Sequence, residues 1–557
     1  MKTTIVQSQN RNNRRPTAAG RRQFLASTLA AAAALLAPRS ARSADSRIEV
    51  LINEPIGTIT PDIYGHFIEH LGGVIYDGVW VGENSKIANQ AGIRSQLIEY
   101  MRRIKPPVVR WPGGCFADSY NWRDGIGPRE ARSRRTNFWA GSMNNAPNGP
   151  QKYDPNHFGT HEFMRFCRLT GSQPYLAANV RSLTPRDFYE WVEYCNAPSG
   201  LTSLSDLRSA NGDTAPFDVR FWGVGNEPWG CGGNFTPEDY ATEYRKFISW
   251  VPRYGRMPSF IAAGPNGGSP NGSVDWTRRF FANMVEKGRG QLNNLYGWAL
   301  HYYCGTVGKR QSIDFTLEDW YELLNRADRM EALVEQHWLA MGEADPEHRV
   351  KLIVDEWGAW HAQSQDVPAA FLFGYLPTLR DALIAALTLD TFNRHADKIV
   401  MANVAQLINT IHSLFVAHED RFVATPNFHV FEMYAAHQGA QAVRTVISAP
   451  RVSYQRAEKP ASLWGLAGSA SLQGKTLLLT LVNPHASESR DTEISVAGAS
   501  LRSCQIQTLS ASDIHAHNSF ANPTALIPTS ADLAVNGKTA IHRFAPASVT
   551  RLQFTLA

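Results

Sequence analysis

The sequence predicts an α/β protein: a (β/α)8 TIM barrel with a C-terminal antiparallel β-sandwich. Three observations carry this. Between about residues 60 and 436, short apolar segments ending in polar, glycine or acidic residues alternate with longer helical stretches. There are eight such segments, the number that closes a parallel barrel. After about residue 440 the texture changes to short strand-like runs separated by Ser, Ala, Asn and Gly, with no long amphipathic helix.

Taken in order, residues 1–43 have the form of an export signal. Arg21-Arg22-Gln23-Phe24-Leu25 opens an uncharged Ala/Leu-rich run of 14 residues to Ala37, too short to span a bilayer. Ala41-Arg42-Ser43 then offers a cleavage site before Ala44, with Ala44-Asp45 as the alternative. Adjacent arginines ahead of Phe-Leu resemble a twin-arginine signal, so the chain is expected to be exported, to the periplasm or beyond. Residues 44–59 hold one strand, Arg47-Ile48-Glu49-Val50-Leu51-Ile52, expected to join the sandwich. The barrel strands are placed at 63–69, 108–114, 174–180, 221–227, 260–266, 298–303, 352–357 and 401–406, within a catalytic barrel over 60–436. Among the helices, 239–251 is opened by Thr236-Pro237-Glu238, with threonine as N-cap and proline in the first turn, and another runs over 317–339. Residues 437–557 form the sandwich.

Composition fits a folded soluble protein, with 43% hydrophobic and 19% charged residues. The net charge of +5 belongs to the leader, whose eight basic residues face no Asp or Glu; without them the remainder stands at −3. Nucleic acid is therefore not a partner suggested by charge. None of Cys115, Cys167, Cys195, Cys231, Cys304 and Cys504 forms a Cys-x-x-Cys pair, so no zinc or redox site is signalled, and no cofactor is expected. No His-x-x-x-His or clustered His/Asp pattern marks a metal hydrolase.

Two glutamates stand out. Glu227, in Gly225-Asn226-Glu227-Pro228, closes the fourth predicted strand, and Glu356, in Asp355-Glu356-Trp357, closes the seventh. Barrels carry chemistry at the carboxyl ends of their strands, and strands four and seven lie on opposite sides of the mouth. A carboxyl from each can flank one glycosidic bond, one protonating the leaving oxygen and one facing it. Their proximity also raises the pKa of one member, keeping an acid protonated near neutrality.

At this point the chain resembles the α-L-arabinofuranosidases of glycoside hydrolase family 51. The motifs are Tyr64-Gly65-His66-Phe67-Ile68-Glu69-His70-Leu71-Gly72, Arg110-Trp111-Pro112-Gly113-Gly114, Trp122-Arg123-Asp124-Gly125-Ile126-Gly127-Pro128, Gly225-Asn226-Glu227, His301-Tyr302-Tyr303 and Asp355-Glu356-Trp357. The resemblance implies a retaining exo-glycosidase that removes terminal non-reducing α-L-arabinofuranosyl groups from arabinan, arabinoxylan or their oligosaccharides. Glu227 would be acid/base and Glu356 nucleophile. It also implies sugar contacts from Glu69 (or else a salt bridge at the barrel mouth), Asn226 and Gln406, and a tyrosine beside the nucleophile. That tyrosine is Tyr303, or Tyr302 if the register shifts by one. His301 supports the site or is a core histidine; Trp139 and Trp229 wall the groove.

One departure from the family pattern stands at Cys115, where many relatives carry a sugar-contacting Asn. A thiol is a poor donor, so that contact is weakened or passes to Asp118 or water. Cys115 and Cys231 follow the ends of strands two and four and are expected close together; a disulfide requires Cα atoms roughly 4.4–6.8 Å apart. Other retaining glycosidases of this barrel, a β-xylosidase or endoglucanase, and a non-catalytic carbohydrate-binding protein are the alternatives. Retention of both glutamates argues against the last. A homo-oligomer is left open.

Overall fold

The computed structural model describes residues 44–140, 153–268, 273–305, 310–369 and 371–557. The export signal expected over 1–43 lies outside them. Eight parallel strands close into a barrel: Gly65–Phe67, Val108–Trp111, Gln173–Ala178, Phe221–Val224, Ser259–Asn266, Gly297–Gly305, Lys351–Trp360 and Ile399–Val404. Neighbours in the barrel are neighbours in the chain, and the last strand pairs with the first through Asn403↔Gly65 and Val404↔His66. Helices follow each strand, from Ser95–Ile104 after the first to Pro426–Tyr434 after the eighth.

The helix starts are written in short-range chemistry. Thr184, Thr236 and Thr316 each accept the backbone N–H of an aspartate three residues on, Asp187, Asp239 and Asp319. Each thus satisfies one of the donors a helix N-terminus leaves unpaired. The helix after strand four ends at Ile248 because Ser249 turns to extended geometry, which stops it short of the expected Val251. The floor of the barrel is filled by Val108, Tyr175, Phe221, Ile261, Ala299, Ile353 and Met401, one side chain from each of seven strands. This packed plug leaves chemistry only to the carboxyl end.

The C-terminal domain is one continuous ten-stranded hydrogen-bonded sheet rather than two separate ones. It is rolled so that distant strands share a core: Ile494 and Val496 pack with Ile506, Leu552 and Phe554. Along Arg490–Ala497 every second residue is buried, the period of a strand with one wet face. Ser46–Thr58 enters this sheet antiparallel to Gln441–Ser448 and parallel to Arg490–Ala497. That single parallel pair arises because the strand arrives from the far end of the chain, with the whole barrel between. Helix Leu379–Arg394 joins the two domains, buried along nearly its whole length. Its Asp390 accepts hydrogen bonds from Ser469, Thr480 and Tyr434. Among the described residues no helix is long and apolar enough to cross a membrane.

Candidate active site

The fourth strand stops at Val224, and the chain then turns through Gly225 (φ 81°) and Glu227 (φ 40°). A non-glycine residue at positive φ is strained, and such residues persist where the surroundings hold them. Here Asp118 is the holder, one carboxylate oxygen accepting from the Asn226 N–H at 2.9 Å and the other from Val180 at 2.8 Å. Glu227 is thereby aimed across the mouth with 18% of its side chain open to the cleft. Glu356, on the seventh strand, is 7% open.

The two carboxylates meet at His301. Its Nδ1 lies 3.1 Å from Glu227 Oε1 and 3.4 Å from Glu356 Oε2. An oxygen of each glutamate and the imidazole nitrogen all fall within 4.8 Å of one another. That separation belongs with the roughly 5–5.5 Å of enzymes that retain configuration, not the roughly 6.5–9.5 Å that leaves room for water in inverting ones. Of the two sequence readings of His301, site support or core histidine, the structure places it in the site, between the two glutamates.

Arg110 is 1% exposed and forks between the two halves of the site. One arm donates to Glu356 Oε1 at 2.8 Å, the other to Asn226 Oδ1 at 2.6 Å, and the guanidinium lies over the Phe67 ring. Asp355, held by Tyr175 and Asn403, sits 3.7 Å behind it. Tyr303 donates to Glu356 Oε2 at 2.8 Å, whereas Tyr302 turns outward to the Arg326 carbonyl, which decides between the two tyrosines. These contacts split the pair. Burial pushes the Glu227 carboxyl above the ordinary range; the His301 hydrogen bond opposes this and the charge of Glu356 adds to it. Burial would raise Glu356 too, but His301, Arg110 and the Tyr303 hydroxyl outweigh it and hold that carboxyl below the ordinary range.

Among the described residues Glu69 makes no salt bridge. It accepts from Trp139 Nε1, the Phe116 N–H and Gln406 Nε2 at 2.9–3.1 Å. Burial and the charge of Glu356 push it up to about 7. The two glycines of Arg110-Trp111-Pro112-Gly113-Gly114 are steric requirements. A Cβ on Gly113 would stand 2.7 Å from Glu69 Cγ, and one on Gly114 would stand 2.9 Å from Glu356 Oε1. Trp139 and Tyr303 pack with Trp360 and Phe373 into an apolar wall beside the carboxylates. Trp229 is partly exposed two residues past Glu227.

Cys115 and Cys231 are joined, with Cα atoms 5.5 Å apart, and stitch the loop after strand two to the loop after strand four. Their sulfurs lie 3.9 and 3.6 Å from Glu227 Oε2. A disulfide has no proton to donate, so Cys115 meets the site as an apolar surface and not as a hydrogen-bonding one. Asp118 does not take over the missing contact: it is fully buried and its oxygens are committed to backbone amides. Sequence reasoning gave Arg110 and Asp355 no role. The available signal was a charge inside an otherwise apolar strand, Val108-Val109-Arg110-Trp111.

Two carboxylates of opposed acidity facing each other across a barrel mouth define a glycoside hydrolase. Family models agree: residues 100–279 match the alpha-L-arabinofuranosidase 1 domain and residues 355–548 the alpha-L-arabinofuranosidase C-terminal domain. An enzyme of Bacteroides ovatus named intracellular exo-alpha-L-arabinofuranosidase is 32% identical over 501 residues, 89% of this chain and 93% of that one. Among solved structures, the GH51 arabinofuranosidase of Xanthomonas axonopodis pv. citri superposes with a TM-score of 0.85 at 34% identity, over 92% of this chain and all of that one. The α-L-arabinofuranosidase of Thermotoga maritima, in an arabinose complex, gives 0.76 at 28% identity over 92% of this chain and 100% of its own. The chain belongs to glycoside hydrolase family 51, the α-L-arabinofuranosidases.

Proposed function

We propose that the protein releases terminal non-reducing α-L-arabinofuranosyl groups from plant-type polysaccharides or oligosaccharides with net retention at the anomeric carbon. The observation that carries this is the close, asymmetric pair Glu227 and Glu356, bridged by His301. Glu356, ionised and held by Arg110 and Tyr303, attacks the anomeric carbon and forms a covalent arabinosyl-enzyme. Glu227, protonated, gives its proton to the departing oxygen, then removes one from the incoming water. Asn226 has its side-chain oxygen fixed by Arg110 and one amide hydrogen toward the Cys231 sulfur at 3.7 Å, which leaves the other hydrogen for the sugar. Glu69 and Gln406 bind further hydroxyls.

The test uses aryl and natural arabinosides. Glu356→Ala is expected to abolish turnover on every substrate. Glu227→Ala is expected to lose about 10²–10⁴-fold on poor leaving groups, the range for a general acid, and much less in the first step on activated aryl glycosides. Azide should restore Glu227→Ala and yield the arabinosyl azide of retained configuration. Proton NMR showing an inverted first sugar would end the two-step reading. Faster release from xylosides than from arabinofuranosides would move it to the xylosidase alternative.

We also propose export of the folded chain by the twin-arginine route. The support is Arg21-Arg22 before the apolar run, together with the Cys115–Cys231 bond, which suits an oxidising compartment. The Bacteroides ovatus relative is named intracellular, so fractionation of cells carrying Arg21→Lys/Arg22→Lys decides the point: unchanged delivery outside the cytoplasm rejects the route.

A further inference from the structure

A wide cleft lies away from the mouth. It opens at the opposite end of the barrel, where strands five, six and seven begin, and has a volume of about 1310 Å³. Its lining contains Arg245, Arg253, Lys287, Arg349 and Lys351 and no aspartate or glutamate. Of these only Arg349 is paired with carboxylates, Asp345 and Glu347. Arg245 bonds an amide and a hydroxyl, and Lys351 lies over the Trp338 ring. A second recess of about 690 Å³ shares Tyr296 with the first and adds Arg102, Lys105 and Arg220, against the single acid Asp62. This concentration of positive charge stands on a chain whose residues after 43 sum to −3.

Trp250 lines the same cleft and is 95% exposed. It follows the last turn of helix Pro237–Ile248 with φ at 59°, a conformation usually given to glycine. An indole in water on a strained backbone is costly twice over, and neither cost serves packing. What it offers is a flat apolar face beside unneutralised cations.

We propose that this floor is a second, non-catalytic carbohydrate site that binds uronate-bearing polysaccharide. A sugar ring stacks on Trp250 while uronate carboxylates pair with Arg253, Lys287 and their neighbours. The polymer would be one whose arabinofuranosyl branches the mouth removes, so the proposal rests on the activity proposed above. The site raises local substrate concentration without touching the scissile bond, so it acts on KM for charged polymer and not on kcat.

The test is affinity electrophoresis of the full chain in gels containing arabinan-rich pectin, the same pectin after carboxyl reduction, or dextran sulfate. Kinetics on an aryl arabinofuranoside are followed in parallel. The wild type is expected to be retarded by native pectin, less by reduced pectin, and little in about 1 M salt, where the screening length is about 3 Å. Arg253→Glu/Lys287→Glu should lose the retardation and raise KM on native pectin about three- to tenfold, the size of two exposed charge contacts. Trp250→Ala should lose it on both pectins, and both variants should keep the wild-type rate on the aryl substrate. Equal retardation of wild type and variants overturns the proposal. So does equal retardation of wild type and Trp250→Ala by pectin and by dextran sulfate, which would mark a non-selective cation patch. A change of sedimentation in Trp250→Ala with pectin binding intact overturns it in favour of a contact between copies of the chain. Failure on the aryl arabinofuranoside with retardation intact strikes the catalytic reading instead.

Discussion

At the scale of single residues, Arg110 decides which glutamate carries the charge. A buried guanidinium needs its charge answered: two arms bond Glu356 and Asn226, and Nε, without a hydrogen-bond partner, faces the Asp355 carboxylate at 3.7 Å. Removing it leaves two buried carboxylates without their cation. Arg110→Gln is therefore expected to destabilise the fold by about 3–5 kcal/mol and to change the pH profile. Arg110 lowers Glu356, which as the proposed nucleophile has to be ionised, so its loss is expected to move the acid limb of kcat/KM to higher pH. It also lowers Glu227, which as the proposed acid has to be protonated, so the alkaline limb is expected to move the same way by less. Arg110→Lys keeps the charge and loses the fork, so its rate should fall while the acid limb moves least. An acid limb unmoved in Arg110→Gln would show that His301 and Tyr303 suffice. The two glutamates were legible in the sequence because each follows an apolar run as part of a polar pair, although Glu227 lies beyond the end of strand four and strand seven continues past Glu356 to Trp360. Arg110 was not, since a strand's sequence does not say which of its alternating faces looks into the barrel.

At the scale of elements, the repeat of strand and helix was legible throughout, because buried parallel strands are apolar on both faces and threonine caps mark where helices begin. The loops were less so. Trp139 and Phe373 reach the site wall from long connections with no periodic pattern, and Cys115 and Cys231 could be read only as neighbours. Their bond spans 116 residues of sequence, from the end of strand two to the loop after Glu227. Closing a loop of that length is worth about 4–5 kcal/mol by chain entropy. Denatured, non-reduced protein should therefore take up label at four thiols, Cys167, Cys195, Cys304 and Cys504, and at all six after reduction. Cys115→Ser/Cys231→Ser should melt at lower temperature and lose activity most on poor leaving groups, since the loop it frees carries the proposed acid. Six labelled thiols before reduction would exclude the bond.

At the scale of the whole molecule, barrel and sheet are joined by polar groups inside the core. A barrel and a trailing β-domain were legible from the change in texture near residue 440, but the joint was not, because nothing in the helix sequence around Asp390 names its partners some 40 to 90 residues away. Its Oδ1 accepts from Ser469 and Thr480 at 2.6 Å each and Oδ2 from Tyr434 at 2.9 Å. Burial pushes this carboxyl up to about 7, against those hydrogen bonds. A carboxyl raised in the folded state binds its proton more tightly there than in the unfolded chain. The stability this contributes is complete below the ordinary aspartate pKa of about 3.9 and is lost as pH rises through about 7. A difference of about three pH units corresponds to at most about 4 kcal/mol. Asp390→Asn is the matching variant. Its amide oxygen can still accept from Ser469 and Thr480, and its NH2 can donate to the Tyr434 oxygen, reversing the bond that Oδ2 accepts from that hydroxyl. Between pH 4 and 8 the melting temperature of the wild type is expected to fall relative to that of Asp390→Asn. Glu69 and Asp118, also raised to about 7, add the same slope to both proteins. Parallel melting curves across that range would show that Asp390 is ionised in the fold and that the joint does not depend on its proton.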